Sequence, residues 1–112
     1  MESKGKIGIV GSGLIGKSWA MIFASVGYKV VLFDVEAKQV TAAIDSIAKE
    51  LKQFEIDGVL RGDKLSAEEQ ASLISGTSSL AECVQDCVYI QVTIPPHYPI
   101  KMAKYAFQSL PY

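Results

Sequence analysis

The segment Lys6 to Ser18, KIGIVGSGLIGKS, decides the fold of this chain. Its first five residues, Lys6 to Val10, form a short apolar run of the kind that makes a strand buried on both faces of a parallel sheet. Gly11, Gly13 and Gly16 follow. Backbone N–H groups at such a turn, together with the positive end of the next helix, can hold a phosphate group. The segment therefore predicts a strand, a phosphate-binding turn and a helix.

The same residues fit two phosphate-binding patterns. Gly11-Ser12-Gly13-Leu14-Ile15-Gly16 fits the dinucleotide fingerprint G-x-G-x-x-G, and residues 11 to 18 fit the triphosphate P-loop G-x-x-x-x-G-K-[ST]. In the P-loop, Lys17 would hold the terminal phosphates and Ser18 would ligate magnesium. The following apolar residues recur at steps of three and four, which is one face of a helix: Ile15, Trp19, Ile22, Phe23 and Val26. Because this phase already includes Ile15, the helix begins inside the motif, and the dinucleotide pattern is favoured.

An acidic residue closes the next predicted strand, Lys29 to Asp34. Asp34 stands at the position where a carboxylate accepts hydrogen bonds from the adenosine ribose of a bound dinucleotide. A carboxylate here would repel a 2′-phosphate, and no arginine follows in residues 35 to 38, so the cofactor is expected to be NAD rather than NADP. Two structural alternatives stay open. The glycines could serve only the geometry of the turn, and Asp34 could be only the N-cap of a helix beginning near Glu36.

The remaining elements complete one half of a doubly wound fold. We expect a long amphipathic helix over residues 36–54, a short one over 66–73, a brief strand over 74–77, a helical turn after Ser79, a strand over 87–94 and a last helix over 100–108. These elements predict an α/β fold, a partial doubly wound (Rossmann) parallel sheet with strand order 3-2-1-4 and helices on both faces, truncated before the second half. The open edge of the fourth strand could pair with another subunit in a homo- or hetero-oligomer.

Composition excludes several classes of protein. The chain has 112 residues, enough for one domain, with 49% hydrophobic and 21% charged residues, as in ordinary globular proteins. A net charge of −1 gives no basic surface for nucleic acid. Neither a membrane-spanning run nor the apolar core of a signal peptide is present, so we expect a cytoplasmic protein without a membrane partner.

Few residues offer catalytic or metal-binding chemistry. Cys83 and Cys87 lack a second cysteine or histidine pair to complete a zinc site and are expected to be buried free thiols, with no metal bound. Trp19 and the methionines are interpreted as core residues. The single histidine, His97, follows two prolines and is interpreted as a surface or turn residue, because a lone histidine without partners is rarely a catalyst.

The segment Lys6 to Ser25, KIGIVGSGLIGKSWAMIFAS, resembles the N-terminal NAD-binding segment of the 3-hydroxyacyl-CoA dehydrogenase superfamily. The Ser18-Trp19-Ala20 step and residues 68–76, EEQASLISG, resemble its L-gulonate 3-dehydrogenase branch, to which lambda-crystallin belongs, and the similarity covers about residues 5 to 91. The resemblance implies that Leu14 and Ile15 lie against NAD at the start of the helix and that Asp34 holds the adenosine ribose. Lys101 matches a family lysine on the nicotinamide side, whereas Pro96 stands where the family has a glutamate.

The resemblance also implies an activity that this chain alone would lack. Family enzymes oxidise a 3-hydroxy acid by passing a hydride to NAD, and they take their catalytic histidine and a helical substrate and dimerisation domain from segments beyond Tyr112. Residues 1–112 are thus expected to be an incomplete N-terminal NAD-binding domain without catalytic residues, and a small 3-hydroxy acid would be a partner only of a full-length form. The alternatives are a noncatalytic dinucleotide-binding or subunit-pairing module and, more remotely, a P-loop nucleotide binder.

Overall fold

The computed structural model describes residues 4–62 and 64–93. The elements in chain order are β1 (Lys6–Val10), α1 (Leu14–Ser25), β2 (Lys29–Phe33), α2 (Ala37–Ile56), α3 (Ala67–Ser72), β3 (Ile74–Thr77), α4 (Leu80–Val84) and β4 (Tyr89–Val92). Each predicted element of the described ranges is present. The strand predicted over residues 87–94 is shorter, and the helix predicted over 100–108, with Pro96, His97 and Lys101, lies outside the described residues.

The four strands form one parallel sheet in the order β3-β2-β1-β4. Ile7 of β1 pairs with Val30 of β2 on one side and with Tyr89 of β4 on the other. The central position of β1 agrees with its apolar sequence, since Ile7, Ile9 and Val10 are almost completely buried. The predicted strand order and the partial doubly wound α/β fold are confirmed.

Apolar residues are buried in two clusters. The larger one joins β1 and β2 to α1, α2 and α3, and includes Ile9, Leu32 and Ile47. The smaller one joins Val10 and Phe33 to Cys83 and Val84 of α4. Side chains of successive strand residues point to opposite faces of a sheet, so neighbouring residues such as Ile9 and Val10 serve different clusters. Helices therefore cover both faces of this sheet, as predicted.

The face that α1 turns toward the sheet consists of small residues. The buried residues of α1 are Gly16, Ala20, Ala24 and Ser25. The large apolar residues lie on the outer side, with exposed fractions of 65% for Ile15, 38% for Trp19 and 48% for Val26. The interpretation of Trp19 as a core residue is therefore wrong. Small side chains let the helix axis come close to β1 and β2, which large ones would prevent.

Side-chain hydrogen bonds stabilise the ends of the short helices α3 and α4. Ser66 and Glu69 form a reciprocal capping box at the start of α3, and the hydroxyl of Ser79 accepts a hydrogen bond from the N–H of Glu82 at 3.2 Å at the start of α4. At the other end of α4, Lys6 Nζ donates to the carbonyl oxygens of Glu82 at 2.7 Å and Gln85 at 2.9 Å. This contact satisfies carbonyl groups that a helix end leaves unpaired and joins α4 to β1.

Cys83 and Cys87 are buried free thiols, which confirms the prediction. Burial raises the pKa of the Cys83 thiol to about 12, and burial also raises the pKa of the Cys87 thiol. Both thiols are therefore protonated and unreactive at neutral pH. Within the described ranges, no helix is both long and apolar enough to cross a bilayer, and no group of three potential ligand side chains is placed to hold a metal ion.

Candidate functional site

The glycine-rich turn and Asp34 lie together because β1 and β2 are parallel neighbours. Val10 pairs with Phe33, so the residues that follow the two strands leave the sheet at the same edge. The N–H of Gly11 donates to the carbonyl oxygen of Phe33 at 2.7 Å, which extends the pairing by one step. The carboxyl edge of a parallel sheet, where the strand order reverses, is where such folds bind ligands.

The helix begins inside the motif. Gly13 is the N-cap of α1, and no side chain caps it. The first N–H groups of a helix have no partner within the helix, so those that follow Gly13 are available to an anion. Leu14 and Ile15 are 74% and 65% exposed, which leaves the approach to these groups open. The structure thus offers backbone donors and the positive end of a twelve-residue helix at one place.

The third glycine serves packing rather than binding. A Cβ on Gly16 would collide with the carbonyl oxygen of Gly11 and would lie 2.9 Å from Thr93 Oγ1. Thr93 Oγ1 lies within hydrogen-bond distance of the carbonyl oxygens of Gly11, at 2.9 Å, and Val10, at 3.2 Å. The turn is therefore held between α1 and the end of β4. Thr93 was not among the predicted site residues, because the predicted strand over residues 87–94 included it; a hydroxyl near the carboxyl end of an apolar strand is a signal that could have found it.

Asp34 is only 7% exposed, and three donors bond its carboxylate. The backbone N–H of Ser12 donates to Oδ2 at 3.0 Å, and the Ser12 hydroxyl donates to the same oxygen at 3.2 Å. The N–H of Glu36 donates to Oδ1 at 3.2 Å. Among the residues that the structure describes, Asp34 forms no ion pair, so these dipoles stabilise its buried charge.

The structure bears on the two alternatives to ligand binding, in which Asp34 is only an N-cap and the glycines serve only the geometry of the turn. Helix α2 begins at Ala37 with Glu36 as its N-cap, and no side chain caps it, so the interpretation of Asp34 as an N-cap is wrong. The carboxylate instead joins the glycine-rich turn through Ser12. Turn geometry alone does not require a buried acid at this place. An acid that contacts the turn and keeps a free acceptor is suited to hold a ligand.

The P-loop alternative is also contradicted. Lys17 Nζ forms an ion pair with Glu50 at 2.6 Å and lies 3.2 Å from Ser46 Oγ, both on α2, so its ammonium group is engaged by α2, at the side of the cleft that Lys17 shares with Ser12 and Gly13. Ser18 Oγ donates to the carbonyl oxygen of Leu14 within α1, at 2.9 Å. The hydrogen bond from Lys17 lowers the pKa of the Glu50 carboxyl group, which agrees with a stable pair. Neither residue is placed as a triphosphate site requires.

An open cleft of about 390 Å³ borders the site. It lies between the first turn of α1 and the first half of α2, and its lining includes Ser12, Gly13, Leu14, Lys38 and Gln39. Small-molecule sites in proteins commonly have about 300–1,000 Å³. The cleft thus gives a nucleotide room beside the turn.

Comparisons with known proteins find a family model and similar chains that match nearly the whole sequence. The family model described as "3-hydroxyacyl-CoA dehydrogenase, NAD binding domain" matches residues 6–108. The lambda-crystallin homolog of Bos taurus is 50% identical over 105 residues, which are 94% of this chain and 32% of that protein. The homolog of Mus musculus is 52% identical over 102 residues, 91% of this chain and 32% of that protein. The chain spans about a third of the length of these curated relatives.

Solved structures share the fold. The (S)-3-hydroxybutyryl-CoA dehydrogenase of Ralstonia eutropha superimposes with a TM-score of 0.80 at 21% identity, covering 94% of this chain and 37% of that one. The 3-hydroxybutyryl-CoA dehydrogenase of Escherichia coli K12 gives a TM-score of 0.77 at 23% identity, covering 96% of this chain and 22% of that one. At such identities the likeness concerns the fold alone.

Proposed function

The chain belongs to the 3-hydroxyacyl-CoA dehydrogenase family, in which it is an NAD-binding domain, and we propose that its glycine-rich turn and Asp34 hold the ADP half of NAD. The observation that carries this proposal is the hydrogen bonding of Asp34 to Ser12, which joins an acid and the phosphate-binding turn in one site. Backbone N–H groups at Gly13, Leu14 and Ile15 would contact the pyrophosphate. Asp34 Oδ1 would accept from the adenosine ribose.

The negative charge of Asp34 determines whether the proposed site accepts NAD or NADP. A 2′-phosphate on the ribose would come close to a buried carboxylate that has no cationic partner among the described residues. Like charges at short range in a poorly hydrated place repel strongly. The proposed site therefore selects NAD over NADP. Lys101 would approach the nicotinamide side, as the family resemblance implies, and stays a proposal because it lies outside the described residues.

The activity proposed for a full-length form is NAD-dependent oxidation of a small 3-hydroxy acid, with L-gulonate as the first candidate. The similarity to lambda-crystallins at about half of the aligned residues supports this substrate class. We expect the 112-residue chain alone to bind NAD without reducing it. A cytoplasmic location, which the sequence predicts, stays part of the proposal. Reduction of NAD by the purified chain with L-gulonate or a 3-hydroxyacyl-CoA would contradict the expectation of an inactive chain.

The binding proposal is tested by titrating the chain with ADP-ribose and following backbone amide shifts by NMR. Asp34→Ala should weaken binding by about 1–3 kcal/mol, since a hydrogen bond to a charged group is lost. Asp45→Ala is the matched control, because Asp45 is an exposed acid on α2 that only pairs with Lys49 at 3.2 Å. Equal affinity in wild type and Asp34→Ala, or binding of magnesium ATP in preference to ADP-ribose, would refute the assignment.

A second candidate is subunit pairing through the edge of β4. In the described part of the chain, β4 pairs with β1 alone, and Val88 and Tyr89 are 60% and 48% exposed. An unpaired strand edge with apolar neighbours is a template for pairing. We propose a second copy of this chain as the partner. Sedimentation equilibrium should show an oligomer that Val88→Lys dissociates and that Val59→Lys, on the similarly exposed Val59, leaves intact. A monomer at every concentration would rule this candidate out.

A further inference from the structure

The Ser12 side chain bonds the same oxygen of Asp34 as its own backbone does. Asp34 Oδ2 accepts from Ser12 N at 3.0 Å and from Ser12 Oγ at 3.2 Å, while Oδ1 accepts from Glu36 N at 3.2 Å. Ser12 is 3% exposed, so water has little access to this contact. The fingerprint pattern leaves this position free to be any residue, and nothing in it requires a hydroxyl.

The acceptor capacity of the carboxylate is nearly used up. An ionised carboxylate has about four acceptor positions, two on each oxygen. Of the residues that the structure describes, two donors occupy Oδ2 and one occupies Oδ1, which leaves a single position on Oδ1. The adenosine ribose of NAD has two neighbouring hydroxyl groups. If both hydroxyl groups donate to the Asp34 carboxylate, one of its three hydrogen bonds from the protein has to break.

The Ser12 hydroxyl is the donor that can leave. The other two donors are backbone N–H groups, which the turn and the entry to α2 hold in place. A hydroxyl can turn away about its own side-chain bonds. Its O···O distance of 3.2 Å also exceeds the roughly 2.5–2.7 Å of a strong O–H···O⁻ bond. The Glu36 N–H bond is as long, at 3.2 Å, but its donor is fixed in the backbone, so the Ser12 hydroxyl is the most mobile of the three donors.

We propose that the Ser12 hydroxyl is a displaceable donor on Asp34, and that the second ribose hydroxyl of the cofactor takes its place. Ser12 is then a specificity-determining residue, because its hydroxyl competes with a ligand that has two ribose hydroxyls and not with a ligand that has one. This inference rests on the proposed role of Asp34 at the ribose. Removing the hydroxyl should favour the two-hydroxyl ligand selectively.

The probes are ADP and 2′-deoxy-ADP, titrated into the 112-residue chain and followed by amide shifts of the turn. In Ser12→Ala, the preference for ADP, taken as Kd(2′-deoxy-ADP)/Kd(ADP), should rise roughly three- to tenfold over that of the wild type, the range expected for one hydrogen bond. Ser12→Thr keeps a hydroxyl and should retain the wild-type ratio. If Ser12→Ala does not fold, Ser12→Gly removes the same hydroxyl and takes its place in the titration.

The outcomes separate this inference from the proposed function. An unchanged or lower ratio in Ser12→Ala, in a chain whose ADP binding depends on Asp34, overturns the inference and leaves the site in place, because a merely structural hydroxyl would alter both affinities alike. A ratio that rises equally in Ser12→Thr overturns it as well. Failure of Asp34→Ala to weaken ADP binding overturns the proposed function first, and the inference with it.

Discussion

Alanine at Gly13 and at Gly16 should separate binding from folding within one motif. A Cβ on Gly13 meets no heavy atom of the described residues within 4 Å, whereas a Cβ on Gly16 collides with the carbonyl oxygen of Gly11. The space in front of Gly13 is where a pyrophosphate approaches the backbone in this fingerprint. We therefore expect Gly13→Ala to fold normally and bind poorly, and Gly16→Ala to fold poorly.

The magnitudes follow from the surroundings of each glycine. At Gly16 the obstructing atom belongs to the backbone, so relief requires α1 to move from β1. Overpacking of this kind costs about 1–3 kcal/mol or more, against about 1 kcal/mol that alanine gains in a helix interior. Because the obstructing atom is fixed in the backbone, the upper end of this range applies, and the net loss of about 2 kcal/mol corresponds to a fall in Tm of roughly 8–16 °C for a domain of this size.

At Gly13 two small effects offset each other. Alanine is a poorer N-cap than glycine by several tenths of a kcal/mol, and it lowers the entropy of the unfolded chain by about 0.4–1 kcal/mol. With φ −69° and ψ −166°, the residue is in a region that alanine adopts without strain. The Tm should therefore change by less than about 4 °C. ADP affinity should fall roughly ten- to hundredfold, since charge-assisted bonds from the turn are lost.

The assay uses thermal unfolding by far-UV circular dichroism beside NMR titration with ADP, with the wild type as reference. Gly13→Ala should keep a Tm close to that of the wild type and lose ADP affinity, whereas Gly16→Ala should show the large fall in Tm. Wild-type ADP affinity in Gly13→Ala would show that the backbone at this turn does not contact the phosphates. A wild-type Tm in Gly16→Ala would show that α1 and β1 are not as close as the structure places them.

Two further outcomes are expected. Lys17→Met should keep wild-type ADP affinity in the same titration, because Lys17 Nζ pairs with Glu50 and not with the turn, and a large loss of affinity would restore the P-loop alternative. Burial raises the pKa of the Cys83 thiol from 9.0 to about 12, so the neutral thiol stabilises the fold fully below pH 9.0, and this contribution is lost as the pH rises from there toward about 12. Chemical denaturation should thus show wild type losing stability relative to Cys83→Ala over that range, and parallel curves would contradict the burial of this thiol.

Local patterns were sufficient to predict the sheet and to place the glycine-rich turn and Asp34 at the ends of β1 and β2. Apolar runs predict β1 and β2, the glycines directly follow β1, and Asp34 directly follows β2, while parallel pairing brings these two strand ends to one edge. Capping spacing likewise predicted the starts of α3 and α4 at Ser66 and Ser79. Each of these features depends on residues within a few positions of one another.

Contacts between distant residues could not be predicted in this way. The Ser12 hydroxyl reaches Asp34 across 22 positions, and Lys17 reaches Glu50 across 33. Whether such side chains meet depends on how far α1 and α2 are rotated and separated, to within an ångström or so. Local sequence predicts that α1 and α2 are helices, but small differences in their packing decide the distances between these side chains.

Helix α1 shows that an apolar stripe is not always the buried face of a helix. It has a face of large apolar residues, with Ile15, Trp19 and Val26, and a face of small ones, with Gly16 and Ala20. A hydrophobicity scale ranks the first face as the more buried. The face of small residues is buried instead, because the glycine-rich turn makes α1 start almost in contact with β1. Only small side chains permit such a short distance between helix and sheet. Where a motif requires a helix to approach a sheet closely, side-chain volume is therefore a better predictor of the buried face than hydrophobicity. The large apolar residues can then make other contacts: the ring of Trp19 stacks on that of Phe23 at 5.8 Å, and Phe23 also contacts Tyr89 of β4.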